Sequence, residues 1–402
     1  MVKIARRIIA PFREFFKHEA TSSIILLVCA AVALIIANSP LAPIYNDVLH
    51  KYITIGYGKF SLSMSVLHWV NDGLMALFFF VIGMEIKREV IVGELKDFKK
   101  TILPVAAAIG GMIIPAIIYI IFNYKEATIT AWGIPMATDI AFALGILSLV
   151  GSKKAPKGLA VFLTALAIVD DLGAILVIAV FYTNKISWIF LLVALITLIT
   201  IILINRFGVT SVPIFAILGV ILWICFLKSG IHATIAGVLF GMTIPSGRDV
   251  RSFKKSMLYK LEHALQPWSA FLIMPIFALA NSGVTIQFSN FTDLILSPIN
   301  LGIFLGLFLG KQLGIFTTSY LLIKLNISKL PSKVTFKHLY GASLLAGIGF
   351  TMSLFIASLS FSEDALLSTA KISIILASTI SAIAGFLVLR SIKPEVCIKS
   401  IK

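Results

Sequence analysis

Charged side chains are scarce in this 402-residue chain: Asp, Glu, Lys and Arg together make up 13% of it, against 59% hydrophobic residues. An ordinary soluble domain carries about 25% charged residues. Too few are present here to cover a water-facing surface, which excludes a soluble enzyme or a free nucleic-acid-binding domain. Cysteine is scarce too. Cys29, Cys225 and Cys397 share no metal-binding spacing, and the first two fall inside apolar runs, so they read as packing residues with no disulfide framework. Acids are the rarer charge, 18 against 34 Lys and Arg, for a formal net charge of +16.

What the chain has in abundance is long apolar runs, and its mean hydropathy is +1.03. A helix needs about 20 apolar residues to cross a bilayer core. Runs of that order recur at 21–38, 68–85, 102–122, 127–150, 158–182, 186–204, 211–227, 230–245, 268–286, 299–323, 338–360 and 368–390, which predicts an all-α integral membrane protein with about twelve transmembrane helices. With the N-terminus inside, only Lys51, Lys59, Lys125, Lys185, Lys228 and Lys371 lie on the outer side. The basic stretches "KREVIVGELKDFKK", "GSKKAPK" and "GRDVRSFKKSMLYK" all lie inside. Lys and Arg accumulate on cytoplasmic loops, so the positive charge is a topology signal that places both termini in the cytoplasm. Residues 1–20 read as an amphipathic segment on the cytoplasmic surface rather than a secretory leader, whose apolar part is shorter, and 391–402 as a cytoplasmic tail.

The long outward connection, 39–66, alternates apolar and polar residues around Gly56-Tyr57-Gly58. That is the pattern of a short periplasmic β-hairpin, and its open edge offers a surface for pairing with a second subunit. Two spans carry helix-breaking residues: the fourth, "AWGIPMATDIAF", contains Gly133 and Pro135, and the eleventh, "LLAGIGFTMS", contains Gly347 and Gly349. Spans seven apart in the series run in opposite directions. The segments 102–182 and 299–390 therefore form a candidate inverted-topology repeat, with a broken, crossing helix at the same place in each.

Four ionisable residues sit deep within these spans: Asp139, Asp170, Asp171 and Lys311, each near the midpoint of its run. At a helix centre each costs on the order of 2.5–3.5 kcal/mol on an insertion scale, an expense that favours function over packing. Neighbouring helical residues point about 100° apart, so one of Asp170 and Asp171 can pair with Lys311 while the other faces water. An apolar setting and a like-charged neighbour favour the neutral carboxyl, an ammonium the charged one, and such acids titrate as a set. A small hard cation prefers oxygen ligands. Carboxylates, the Thr138 hydroxyl and carbonyls freed at the broken fourth helix could supply them, so cation and proton would compete for the same atoms.

At these residues the chain resembles the NhaA family of sodium/proton antiporters, through "ATDIAFALG", "ALAIVDDLGAI", "GLFLGKQLG", "GIGFTMSLFIASLSF", "NDGLMALFFFVIGMEIKRE" and "LEHALQPW". The resemblance implies electrogenic, pH-regulated exchange of Na+ or Li+ for H+ across a bacterial inner membrane, by a non-enzymatic transporter that has no cofactor beyond its transported ions. It marks Asp171 as the main cation and proton site, Asp170 as the partner of Lys311, and Thr138 as an added oxygen ligand. It places Asp139 beside the crossed helices, offsetting their positive ends as Lys311 offsets negative ones. A cytoplasmic pH-response cluster maps onto Glu85, Arg88, Glu89, Glu262 and His263; a solvated rim holding helix ends is the plainer reading of the same residues. Gln266 stands where some relatives carry a histidine, and His232 reads as a helix-end packing residue. Two rival readings remain open. An intramembrane aspartyl protease would show a GxGD pattern, where "GIGF" has Phe350 in the acid's place. A sodium-coupled symporter of organic anions would share the inverted repeats but move few protons.

Overall fold

The computed structural model describes residues 2–56, 61–151, 154–183, 186–247, 249–285 and 295–393. Residues 57–60, where the hairpin turn was expected, with Lys59, and also Lys185 and Cys397, lie outside the described residues. The first helix, α1 (Val2–Ala37), runs unbroken through the stretch expected to form a separate surface segment. It is followed by a short α2 (Ala42–His50) and a two-stranded antiparallel sheet, β1 (Tyr52–Ile55) and β2 (Leu62–Ser65), in the register Tyr52↔Ser65 to Ile55↔Leu62. The hairpin is thus present, while α2 left no clear signal in the sequence: its Ala-Pro start is a good first turn, but it presents no apolar stripe to a core.

The remaining helices are α3 (Val66–Ile91), α4 (Phe98–Asn123), α5 (Ile140–Val150), α6 (Lys157–Phe181), α7 (Trp188–Arg206), α8 (Val212–Ser229), α9 (Ala233–Thr243), a single turn α10 (Val250–Phe253), α11 (Met257–Asn281), α12 (Pro298–Lys324), α13 (Phe336–Ala346), α14 (Phe350–Ser360) and α15 (Asp364–Ser391). Counting the segments Ala127–Val150 and Phe336–Ser360 as one span each, eleven among the described residues are long and apolar enough to cross a membrane. The eighth expected span, 230–245, is the exception. Gly230 adopts a left-handed backbone, φ 86°, after α8, and Ile244 is extended, so α9 has only 11 residues. At 1.5 Å per residue it reaches about half-way across a bilayer core. It compensates by close packing: a Cβ on Gly237 would stand 2.2 Å from the Ala76 carbonyl oxygen, so only glycine lets α9 lie against α3.

Among the described residues three spans carry a π-helical turn, at Trp69–Leu74 in α3, Ser269–Ile273 in α11 and Gly306–Gly310 in α12. Such bulges free or re-aim side chains and often mark functional positions; the one in α12 ends immediately before Lys311. The α12 helix also crosses α4 at Gly110 and Gly314. A Cβ on Gly314 would come within 2.1 Å of the Gly110 carbonyl oxygen, and this close approach draws Lys311 into the bundle.

Both expected interruptions are present. In the fourth span, 3-10 turns at Ala127–Ala131 and Ile134–Met136 give way to extended backbone at Ala137 and Asp139, before α5 begins. In the eleventh, α13 stops at Ala346 and α14 starts at Phe350. The two breaks meet: the Asp139 amide donates to the Ile348 carbonyl at 2.6 Å.

Candidate ion-binding site

Each break leaves backbone donors and acceptors without helical partners, and in a low-dielectric interior these need others. Asp139 supplies them for two helix starts. Its Oδ1 accepts from the Phe142 amide at 3.1 Å, capping α5, while its Oδ2 accepts from the Thr351 amide at 3.0 Å and from the Thr351 hydroxyl, capping α14. A carboxylate at two converging positive helix ends is well placed electrostatically. Ser378 of α15 adds a third ligand to this junction, its Oγ accepting from the Phe350 amide at 3.1 Å. Thr351 lies within a motif already singled out. Ser378 sits in an ordinary-looking apolar span and had no signal in the sequence.

Next to this junction lies a second group of polar atoms. The Thr138 hydroxyl is 2.6 Å from Asp170 Oδ2 and 2.9 Å from the Ala346 carbonyl oxygen. It has one proton to donate, and the carboxylate is the stronger acceptor. Lys311 Nζ donates to the same Asp170 Oδ2, and the ion pair is fully buried. The expected pairing of Lys311 with one acid of the adjacent pair is therefore what the structure contains.

Asp171 is different. It is 2% exposed, and its Oδ1 has no hydrogen-bond partner, nor has Oδ1 of Asp170. A buried acceptor left unsatisfied costs about 1–3 kcal/mol and more if charged. Two carboxylates and one ammonium leave a net single negative charge, which a proton or a monovalent cation would neutralise. Among the described residues, no group of three or more His, Cys, Asp and Glu is arranged to hold a metal. The donor set is instead two carboxylates with neutral oxygens of Thr138 and the unwound backbone, which suits a weakly held hard cation and not a transition metal.

A second cluster sits towards the end of α3, against α11. Arg88 pairs with three carboxylates: Nη2 with Glu85 at 3.1 Å and Glu89 at 2.9 Å, and Nη1 with Glu262. One guanidinium faces three acids, so the cluster holds more acidic than basic groups. His263 is not part of this contact. Its ring is exposed and stacks on Tyr259, 5.7 Å between centroids, and Gln266 is exposed as well. His232 lies far from both clusters in the sequence and immediately precedes α9. Its Nε2 is 2.6 Å from the Tyr182 carbonyl oxygen, so the ring bridges α9 to the end of α6. The free cysteines Cys29 and Cys225 lie in α1 and α8, away from the site.

Two broken helices crossing beside buried, partly unsatisfied acids define a multi-pass membrane protein built as secondary ion transporters are. The sequence model of the family described as Na+/H+ antiporter 1 matches residues 13–389. A relative named Na(+)/H(+) antiporter NhaA 1, from Clostridium beijerinckii, is 63% identical over 97% of this chain and 98% of its own length. Another named Na(+)/H(+) antiporter NhaA, from Pelagibacter ubique, is 49% identical over 94% and 97%. This chain belongs to the NhaA family of Na+/H+ antiporters. Its fold is also similar to that of the sodium proton antiporter MjNhaP1 from Methanocaldococcus jannaschii, with a TM-score of 0.53 at 16% identity over 92% of this chain and 91% of that one.

Proposed function

We propose that this chain is an electrogenic, pH-regulated exchanger of Na+ or Li+ for H+, working by competition of cation and protons for Asp171, Asp170 and Thr138. The observation that carries this reading is the unpartnered Oδ1 of both acids, buried beside an ion pair. A cation drawing on both carboxylates displaces the proton held at Asp171 and loosens the Asp170–Lys311 pair, whose proton can then leave. More than one proton per cation makes the cycle electrogenic. Because the same oxygens serve both ions, the two movements are coupled without any further linkage, and alternating exposure of the site to the two sides completes transport. No cofactor is needed, since no bond of a substrate changes. The site lies in a bacterial inner membrane, with both termini in the cytoplasm as the basic loops indicate. The exposed strand β1 would pair two copies through their hairpins.

The test is exchange in acid-loaded, inside-out vesicles: adding Na+ or Li+ releases protons, measured as alkalinisation of the lumen over a pH series, while K+ does not. A membrane shown to contain the protein that gives no alkalinisation at any pH rejects antiport. Sodium uptake driven with an organic anion, and without proton flux, would establish the symporter instead.

Regulation by pH is assigned to the Arg88 cluster. Removing the guanidinium in Arg88→Ala takes away the counter-charge that Glu85, Glu89 and Glu262 share, and like charges at this spacing hold protons more tightly. The activating pH is expected to move to the alkaline side while the maximal rate survives. A profile unchanged in Arg88→Ala removes the cluster from regulation and leaves it a helix-end contact.

A further inference from the structure

The eleventh span starts at a capping box that a proton can break. The Thr335 hydroxyl oxygen accepts from the His338 amide at 3.4 Å, and the His338 ring reaches back, its Nδ1 accepting from the Thr335 amide at 3.2 Å. That third helical position ordinarily holds Glu or Gln, whose side chain makes the same return contact. An imidazole makes it only while Nδ1 carries no proton. The other ring nitrogen is fixed as well: Nε2 lies 3.0 Å from the Lys154 carbonyl oxygen, which can only accept, so Nε2 holds the proton of a neutral ring. His338 is buried.

The ring joins the elements that line the ion site. From His338 to Ala346 α13 is continuous, about 12 Å at 1.5 Å per residue, and the Ala346 carbonyl oxygen is the one 2.9 Å from the Thr138 hydroxyl. Lys154 lies in the connection from α5, whose start Asp139 caps, to α6, which carries Asp170 and Asp171. The same connection reaches α15, because Lys154 Nζ donates to the Arg390 carbonyl. Beside it α6 presses on the turn before α13: a Cβ on Gly158 would stand 2.8 Å from the Ser332 carbonyl oxygen. His338 therefore sets where the half-helix ending at Ala346 stands relative to the helix bearing the two acids.

A second proton would land on Nδ1, where the Thr335 amide already points. The Thr335 hydroxyl, 2.8 Å away, could accept it, but the amide would lose its acceptor and the box its reciprocal half. The ring would also become a buried charge with nothing to balance it. The neighbouring stretches 145–158, 316–345 and 384–393 contain no Asp or Glu. Their charged groups include Lys154 and Lys157 on the α5–α6 side, Lys324, Lys329 and Lys333 on α12 and the connection after it, Lys337 on α13 and Arg390 on α15. Tyr340 turns to α12, its hydroxyl donating to Gln312 at 3.1 Å. The contacts thus hold with the ring neutral and are lost as pH falls through its titration. We propose that His338 is a positioning residue for exchange: its neutral ring locks α13 onto the α5–α6 connection, and protonation of that ring releases it. The inference rests on the antiport reading and adds a pH-sensitive point separate from the Arg88 cluster.

The test compares the full-length wild-type protein with His338→Gln, whose amide offers the same acceptor and donor and does not titrate. One pH unit below the midpoint of a single-proton step, about a tenth of the neutral ring remains. His338→Gln should therefore exchange sodium for protons at the wild-type rate in alkaline vesicles and up to about tenfold faster than wild type one unit below the midpoint of the ring. Proton competition at Asp171 and the Arg88 cluster act on both proteins alike, so the ratio of the two rates reads the ring alone. Nitrogen NMR of histidine-labelled protein supplies the midpoint without any transport. The signal that is missing from His338→Gln should belong to a neutral ring protonated on Nε2 at alkaline pH and to a doubly protonated ring at acid pH. A rate ratio of one at every pH overturns the proposal, and so does a ring found doubly protonated where wild-type exchange is maximal. Absence of exchange from both proteins, with the histidine signal still passing through its step, would instead reject antiport itself and with it any role of the ring in exchange.

Discussion

Asp171→Asn is expected to abolish exchange and to remove proton release on sodium binding. Asp171 contributes a buried carboxylate whose Oδ1 has no donor near it, whereas the charge of Asp170 is already committed to Lys311. Asparagine keeps the size and removes the charge, so the site goes from net negative to neutral. A hydrogen bond or ligand contact to a charged group contributes about 1.5–3 kcal/mol, and each ~1.4 kcal/mol is tenfold in affinity. Cation affinity should therefore fall by at least one to two orders of magnitude. Calorimetry separates this from misfolding. The wild-type protein should expel protons when sodium is added, by an amount that changes with buffer pH. The variant should expel none, while melting no lower than wild type, since no partner is lost. Exchange at the wild-type rate in Asp171→Asn would mean that the cation sits elsewhere.

How much of this could be read from the chain alone depends on whether the signal was local. Asp139, Asp170, Asp171 and Lys311 stood out because a charge in an apolar run has no neighbours to hide it, and the breaks at Pro135 and at Gly347 and Gly349 followed from backbone chemistry. The hairpin strands followed from alternation. What could not be read was set by contacts distant in sequence. The choice of Asp170 over Asp171 as partner of Lys311 came only through the family resemblance, because it depends on how α6 is rotated against α12, which periodicity in an almost wholly apolar helix does not fix. The caps that Asp139 and Ser378 bring to the start of α14 require α14 and α15 to be docked against the fourth span. Likewise, 230–245 has the composition of a span but not its length as a helix, because Gly230 and Ile244 cut it to the half that packs on α3. His263 neighbours Glu262 in the chain, but successive residues on a helix face about 100° apart, so only Glu262 reaches Arg88.

Lys311→Ala has the second large effect, and it should appear in two measurements that respond differently. A buried ion pair adds little net stability, but removing one partner strands the other and costs about 3–5 kcal/mol. In Lys311→Ala the Thr138 hydroxyl is the one donor left to Asp170, so the variant should melt well below wild type. Without the ammonium, Asp170 releases its proton only at lower proton concentration, and the exchange profile should move to alkaline pH. Adding Asp170→Asn to Lys311→Ala removes the stranded charge and should restore part of the melting temperature. It should not bring back the wild-type profile but abolish exchange, because one of the two carboxylates is then gone. That opposition distinguishes an ion pair used in transport from one used only to hold α6 against α12: in the second case stability and exchange would recover together. If the double variant melts no higher than Lys311→Ala, the coupling energy between the two residues is absent, and the lysine acts through some contact other than Asp170.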